Sequence, residues 1–282
     1  MEKNQAQDDL QILHEVEFEM LMELRRICEK HHLTYYISGG TFLGAVRHHG
    51  FIPWDDDMDI ALPREDYQKF IRVVNKELPE GMEFKSYSND PNYHHPVARL
   101  VNYKVCVKNK SFSEARIEPS WIDIFPLDGM PDGKLAMNLH KIRLLWRKVT
   151  IGWANYDDLQ DMKPNRPWYE KVLMFIGKTF KPGKFMNLTK QYAKLEKALM
   201  KYPSSKSKVY MNFNGAYRFN SIMNKDFYYG NGALYEFEGE KFPAPANYDA
   251  YLKKIYGDYM KLPPEEKRNV HSTEVVRNEN NQ

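Results

Sequence analysis

Four carboxylates fall within five residues at Asp55-Asp56-Asp57-Met58-Asp59, with Trp54 before them and Ile60-Ala61-Leu62 after. Acid crowded against apolar residues suggests chemistry at the start of a buried strand. Side chains alternate faces along a strand, so Asp57 and Asp59 share one face, and Met58 and Ile60 take the other. Asp55 and Asp56 read as supporting residues. Two carboxylates about 4 Å apart repel by about 4 kcal/mol at an effective dielectric of about 20. A shared proton or a bound cation relieves that repulsion. Hard oxygens one strand step apart suit Mg²⁺ or Mn²⁺, which in turn engage substrate phosphates. An isolated Asp-x-Asp pair can be a solvated turn, but the apolar flanks and upstream glycines argue against that here.

The complement to an acidic clamp is a phosphate cradle. Ile37-Ser38-Gly39-Gly40 reads as a strand running into two glycines, and Thr41–His49 as a short helix after them. Glycines there let backbone N–H groups approach a phosphate. Arg47, on that helix, could reach a phosphate oxygen. A further carboxylate, Asp123, sits between Ile122 and Ile124 in an otherwise apolar strand. A buried Asp needs a partner, and a metal beside Asp57 and Asp59 would supply one. Asp123 could also take a proton from an attacking hydroxyl; an Arg or backbone partner is the plainer reading. The histidine pairs His48-His49 and His94-His95, and His271, carry no assignment.

These residues need a scaffold. The 282-residue chain, 42% hydrophobic, can build one large domain with an appendage. An amphipathic helix is predicted over 8–31, strands over 33–38, 57–62 and 120–129, and a helix over 64–78. Three further strand candidates, a hairpin around Glu238-Gly239 and a helix over 247–259 complete the pattern. Residues 134–206 read as helical and hold 16 Lys/Arg against 5 Asp/Glu, although the whole chain is only +3. Cys28 and Cys106 belong to no metal motif and fit a reducing compartment. The N-terminus has no apolar core of a signal peptide, and no apolar run is long enough to cross a membrane. The expected setting is the cytoplasm.

The segment "GGTFLGAVRHHGFIPWDDDMDIALPREDY" resembles the signature of the LicD family of cholinephosphotransferases, whose distant relatives include fukutin-related protein. "WIDIFPLDG" is similar to that family's second block, and "FPAPANYDAYLKKIYGDYMKLPP" to its third. The resemblance implies an α/β (α+β) fold: a nucleotidyltransferase-like mixed sheet with flanking helices, here with an added basic helical region. The implied arrangement is a catalytic core over 1–130, the basic helices over 131–206, a Tyr-rich segment over 207–265 completing the site, and a polar tail over 266–282.

The resemblance also implies phosphoryl transfer. Asp57, Asp59 and Asp123 would hold Mg²⁺ or Mn²⁺ and do the catalysis; Gly39, Gly40 and Arg47 would hold substrate phosphate. The donor would be CDP-choline or another CDP-alcohol. The acceptor would be a glycan of lipopolysaccharide, teichoic acid or a lipid-linked precursor. A choline headgroup asks for an aromatic cage, with Trp54, Trp121 and the Tyr-rich stretch 209–235 as candidates. The stretch "LHKIRLLWRKVTIGW" mixes apolar and basic residues as interfacial helices do, so peripheral association with the inner membrane face is a further expectation. Nucleic acid ranks low, for want of an RNA-binding motif. The competing readings are a nucleotidyltransferase acting on a small molecule or RNA, a silent glycan- or nucleotide-binding module, and a glycosyltransferase of the Asp-x-Asp type.

Overall fold

A computed structural model describes residues 2–90, 93, 95–109, 116–155, 175, 177, 179–265, 268 and 274–276. Residues 156–174, 176 and 178 of the stretch read as helical over 134–206, along with His94 and His271, lie outside the described residues.

The architecture is mixed α/β, as expected. The chain opens with α1 (Glu2–Lys30), β1 (Tyr36–Ile37), α2 (Gly39–His48), β2 (Asp59–Pro63), α3 (Arg64–Glu77), β3 (Met82–Lys85), β4 (Ala98–Asn109) and β5 (Arg116–Leu127). It continues with α4 (Lys134–Ala154), α5 (Leu188–Leu199), β6 (Val209–Tyr210), β7 (Met223–Asn224), β8 (Ala233–Phe237), β9 (Glu240–Ala244), α6 (Tyr248–Tyr256) and β10 (Glu274–Val276). The main sheet has the order β1-β2-β5-β4-β10, and β3 pairs β4 as well. β2 and β5 run parallel; the other pairs are antiparallel. β3 and β10 share one edge of β4 in succession, so Glu274–Val276 of the polar tail joins the sheet.

Local sequence explains these elements. α1 buries Leu13, Val16, Met20, Leu21, Leu24, Ile27 and Cys28, one stripe at helical spacing. α3 buries Tyr67, Phe70 and Val74 and places Glu65 and Asp66 in its first turn, where the helix dipole favours acid. β8 and β9 pair around Glu238-Gly239. The hairpin and α6 then fold back on the first half of the chain: Phe42 of α2 meets Tyr235 and Tyr251 edge-on. This main core is continuous from α1 to Tyr259. A second, smaller core gathers Met130, Leu144, Leu195, Leu199, Met211 and Phe213 between α4, α5 and the following segment.

Two of the boundaries that differ from the sequence reading bear on the site. β2 begins at Asp59 rather than Asp57, so Asp57 lies on the chain entering the strand. α2 begins at Gly39, so the glycines form its first turn rather than a loop before it. Apolar alternation carries on upstream of a strand, and glycine weakens a helix pattern; neither marks a boundary by itself.

Candidate active site

A cavity of about 460 Å³ opens where α2 begins and β2 and β5 run side by side. Asp55, Asp57, Asp59 and Asp123 all line it. The parallel register sets Asp59 directly opposite Asp123, and the antiparallel register sets Asp123 opposite Arg99. Three neighbouring strands thus carry Asp59, Asp123 and Arg99 in a row. The separation between Asp59 and Asp123 in sequence is closed by pairing alone.

The start of α2 holds Asp59 firmly. Asp59 N–H donates to Thr41 Oγ1 at 2.8 Å, and Ser38 N–H donates to the Asp59 carbonyl at 2.9 Å. The Asp59 carboxylate accepts the Gly40 N–H. Gly39 donates its N–H to the Tyr251 hydroxyl, which also bonds Ser38 Oγ at 3.2 Å. Both glycine amides are therefore engaged inside the protein. The glycines are needed for space as well: a Cβ on Gly39 would enter the Asp59 carboxylate, and one on Gly40 would come within 2.6 Å of Asp55 Oδ2. Gly39 has φ +53°, a conformation that costs an L-residue roughly 1–2 kcal/mol. Gly39→Ala is expected to lower stability by about that amount, and to displace Asp59. A melt indistinguishable from wild type would contradict this geometry.

The carboxylates repel. Burial, then the charges of Asp57 and Asp56, then a hydrogen bond to Asp57, push the Asp55 carboxyl up to about 8. Burial and the charges of Asp57, Asp123 and Asp55 hold Asp59 well above the ordinary range, with the Gly40 N–H offsetting part of the rise. Asp55 thus belongs to the cavity itself, not to a support layer behind it.

Four residues missed in the sequence surround the site. Glu17 of α1 is 1% exposed, and its Oε2 has no hydrogen-bond partner. Burial and the charges of Asp57, Asp56, Asp55 and Asp123 hold it well above its ordinary range. One turn earlier, His14 Nε2 donates to the Asp55 carbonyl at 2.7 Å, which ties α1 to the acidic loop. Arg99 Nε donates to Asp123 Oδ1 at 3.0 Å, and its guanidinium lies 4.1 Å from the Trp121 ring centroid. Glu118, 3.7 Å from Arg99, braces it from the same strand as Asp123.

Arg47 does not line the cavity. Its guanidinium donates to the Tyr259 carbonyl at 2.8 Å and to His48 Nε2 at 2.9 Å, beside the Trp54 ring. Part of the wall is aromatic: Tyr217, Tyr229, Tyr251 and Tyr256 come from the C-terminal part of the chain, and Phe125 follows Asp123 on the same face of β5. Tyr217 and Tyr256 meet edge to face with centroids 5.8 Å apart. Trp54 and Trp121 are outside this wall.

Among the described residues, no three His, Cys, Asp or Glu side chains gather closely enough to hold an ion alone. The three carboxylates expected to hold an ion together, Asp57, Asp59 and Asp123, do not form such a group; a Mg²⁺ ion that takes one or two carboxylates and completes its shell with water and substrate phosphate needs fewer. Mutual repulsion and an orphaned buried Glu17 oxygen both favour a cation here. A titration consequence follows for protein kept free of divalent ions. Asp55, Asp59 and Glu17 bind protons more tightly folded than unfolded. Their contribution to stability falls as pH rises between about 5 and about 8, the reverse of a salt-bridged carboxylate; the lowered His14, His48 and His140 oppose it below about 6.5, so the net slope shows between about 6.5 and about 8. Thermal melts in EDTA should show that slope, and millimolar Mg²⁺ should flatten it; a metal-independent, flat profile would contradict the crowding.

Known proteins share this arrangement of sequence. The family model described as LicD/FKTN/FKRP, nucleotidyltransferase domain, matches residues 32–133, the span that carries the four aspartates, the glycines and Arg99. The chain is 30% identical over 256 residues to the lipopolysaccharide cholinephosphotransferase LicD of Haemophilus influenzae, covering 87% of this chain and 89% of that protein. A shorter stretch of 68 residues is 39% identical to an uncharacterised protein of Rickettsia typhi, 24% of this chain and 22% of that one. Another of 49 residues is 43% identical to an uncharacterised protein of Rickettsia prowazekii, 17% and 18% of the two chains. Near-complete coverage of the Haemophilus protein, with the domain model lying on the strands that hold the acids, shows that this chain belongs to the LicD family.

Proposed function

We propose that this protein transfers phosphocholine, or a closely related phosphoalcohol, from a CDP-alcohol to a hydroxyl of a surface glycan such as lipopolysaccharide. The observation that carries the reading is one cavity lined by both Asp55, Asp57, Asp59 and Asp123 and a group of aromatic residues. The Haemophilus relative's name, which couples cholinephosphotransfer to lipopolysaccharide, supports the choice of group and acceptor.

In this reading Asp57 and Asp59 hold Mg²⁺ or Mn²⁺, and Asp123 stands as the third carboxylate. The ion, when bound, would neutralise charge on the donor's pyrophosphate. The acceptor oxygen attacks the phosphorus that bears the alcohol, the bond from that phosphorus to the CMP oxygen breaks, and CMP leaves. Asp123, held by Arg99, would accept the hydroxyl proton. A phosphate reaching the start of α2 would exchange with Tyr251 for the Gly39 amide, and Arg47 would need to leave the Tyr259 carbonyl to assist. Phe125, Tyr217 and Tyr256 offer ring surfaces to a quaternary ammonium.

The test is CMP release with Mg²⁺, a glycan acceptor and a panel of CDP-choline, CDP-ethanolamine, CDP-glycerol and CDP-ribitol. CMP release matched by labelled phosphoalcohol on the acceptor is expected. Transfer of the nucleotide itself, or no release with any donor, would overturn the proposal.

A further inference from the structure

Helix α4 has two apolar faces, and among the described residues only one is packed against a core. Its residues Met137, His140, Leu144 and Ile151 turn toward the second core, against Leu195, Leu199 and Phe213. At about 100° per residue, Leu135, Leu139, Ile142 and Trp146 fall within about 60° of one another on the opposite side. These four are 75%, 60%, 63% and 53% exposed. Trp153 continues the same line and meets Trp146 edge to face at 5.7 Å. Single exposed apolar residues are ordinary, but four in one stripe facing away from the core are a contiguous patch.

Charge around the stripe is of one sign. α4 carries Lys134, Lys141, Arg143, Arg147 and Lys148 and no acidic residue. Lys134 and Arg143 are exposed, one on each side of the stripe. A short 3₁₀ turn, Pro182–Phe185, packs against the end of α4: a Cβ on Gly183 would run into the Trp153 carbonyl. That turn adds exposed Lys184 and Phe185, with exposed Phe180 and Lys181 just before it. Residues 134–155 and 179–206 together hold twelve Lys/Arg and a single acid, Glu196, which is bound to Arg64.

We infer that the outer face of α4 is a docking surface for an anionic lipid membrane, with the Leu135–Trp146 stripe entering the headgroup layer and the flanking cations meeting lipid phosphates. A stripe of Leu, Ile and Trp bordered by Lys and Arg is the pattern of an interfacial helix, in which Trp suits the headgroup level. A second copy of this chain fits less well, because a two-fold contact would set these cations against themselves. No described helix is long and apolar enough to cross a membrane, so the contact is lateral. The inference is independent of the reaction proposed above, but it bears on the cavity. The inner face of α4 rests on Phe213, whose neighbours Asn212 and Asn214 line the cavity. Seating α4 on a membrane would bring that wall within roughly one helix diameter, about 10 Å, of the lipid surface.

Vesicle flotation with the intact protein tests this. Flotation is expected with phosphatidylglycerol/phosphatidylethanolamine vesicles, at least about tenfold less with phosphatidylcholine/phosphatidylethanolamine, and less as salt is raised. Ile142→Glu with Trp146→Glu, and separately Lys134→Glu with Arg143→Glu, should each lower flotation at least about tenfold at an unchanged melting temperature. Equal flotation with the neutral vesicles, or undiminished flotation of either double variant, would overturn the inference. Self-association abolished by Ile142→Glu, in protein that does not float, would overturn it in favour of a second copy.

Discussion

Asp59→Asn is expected to reduce phosphoalcohol transfer on the order of 10³-fold while leaving the metal-free protein more stable than wild type. The two effects have one cause. Asp59 is buried among other carboxylates: burial raises it most, and Asp57, Asp123 and Asp55 all add to the rise. Asn keeps the shape and can still accept the Gly40 N–H, while the backbone bonds to Thr41 and Ser38 do not involve the side chain. The fold is therefore undisturbed and a repulsive charge is gone. Relief of even about 1 kcal/mol would raise the melting temperature by roughly 2–4 °C in a chain of this size. The same substitution removes the charge a cation would use, so stabilisation by Mg²⁺ should shrink with activity. CMP-release assays and paired melts with and without Mg²⁺ check both halves. Activity within tenfold of wild type would remove Asp59 from the proposed machinery.

Much of this site could be read before the fold was known, and the reason differs by residue. Asp57 and Asp59 stood out because charge interrupts an apolar run; that signal survives although β2 starts at Asp59. Asp123 stood out for the same reason, one acid between two isoleucines. Arg99 did not, because a cation in a strand is ordinary until register sets it beside Asp123. Glu17 left a fainter trace. It occupies the place in the α1 stripe between Leu13 and Leu21 where an apolar residue belongs, and a buried acid at that position was the available signal. Arg47 is the opposite case: its helix was legible, but which way its guanidinium turns depends on Tyr259, more than two hundred residues later. The tyrosines are equally non-local: Tyr251 and Tyr256 reach the cavity through the return of the C-terminal helix, and Tyr217 through the segment between β6 and β7.

The largest expected loss of stability lies outside the cavity. Arg64→Met should destabilise the protein by about 3–5 kcal/mol, because it strands a buried carboxylate. Arg64, directly after β2, is 5% exposed and Asp128, directly after β5, is 1% exposed. The guanidinium grips Asp128 with two bonds, Nε to Oδ1 at 2.6 Å and Nη2 to Oδ2 at 2.9 Å, and gives a third to Glu196 of α5 at 3.0 Å. Burial raises the Asp128 carboxyl even with that cation beside it, so desolvation already outweighs much of the attraction. Removing the cation leaves the desolvation cost unopposed. Asp128 also exchanges two backbone hydrogen bonds with Met211, each 2.9 Å, one residue before the cavity-lining Asn212. The clamp therefore joins the ends of β2 and β5 to α5 and to one wall of the site, and its loss should reduce transfer as well. Adding Asp128→Leu to Arg64→Met should recover part of the stability, since an apolar pair no longer buries a lone charge. Urea melts of the single and double variants measure both terms. A single variant within about 1 kcal/mol of wild type would mean that water reaches Asp128 and that the pair is not sealed.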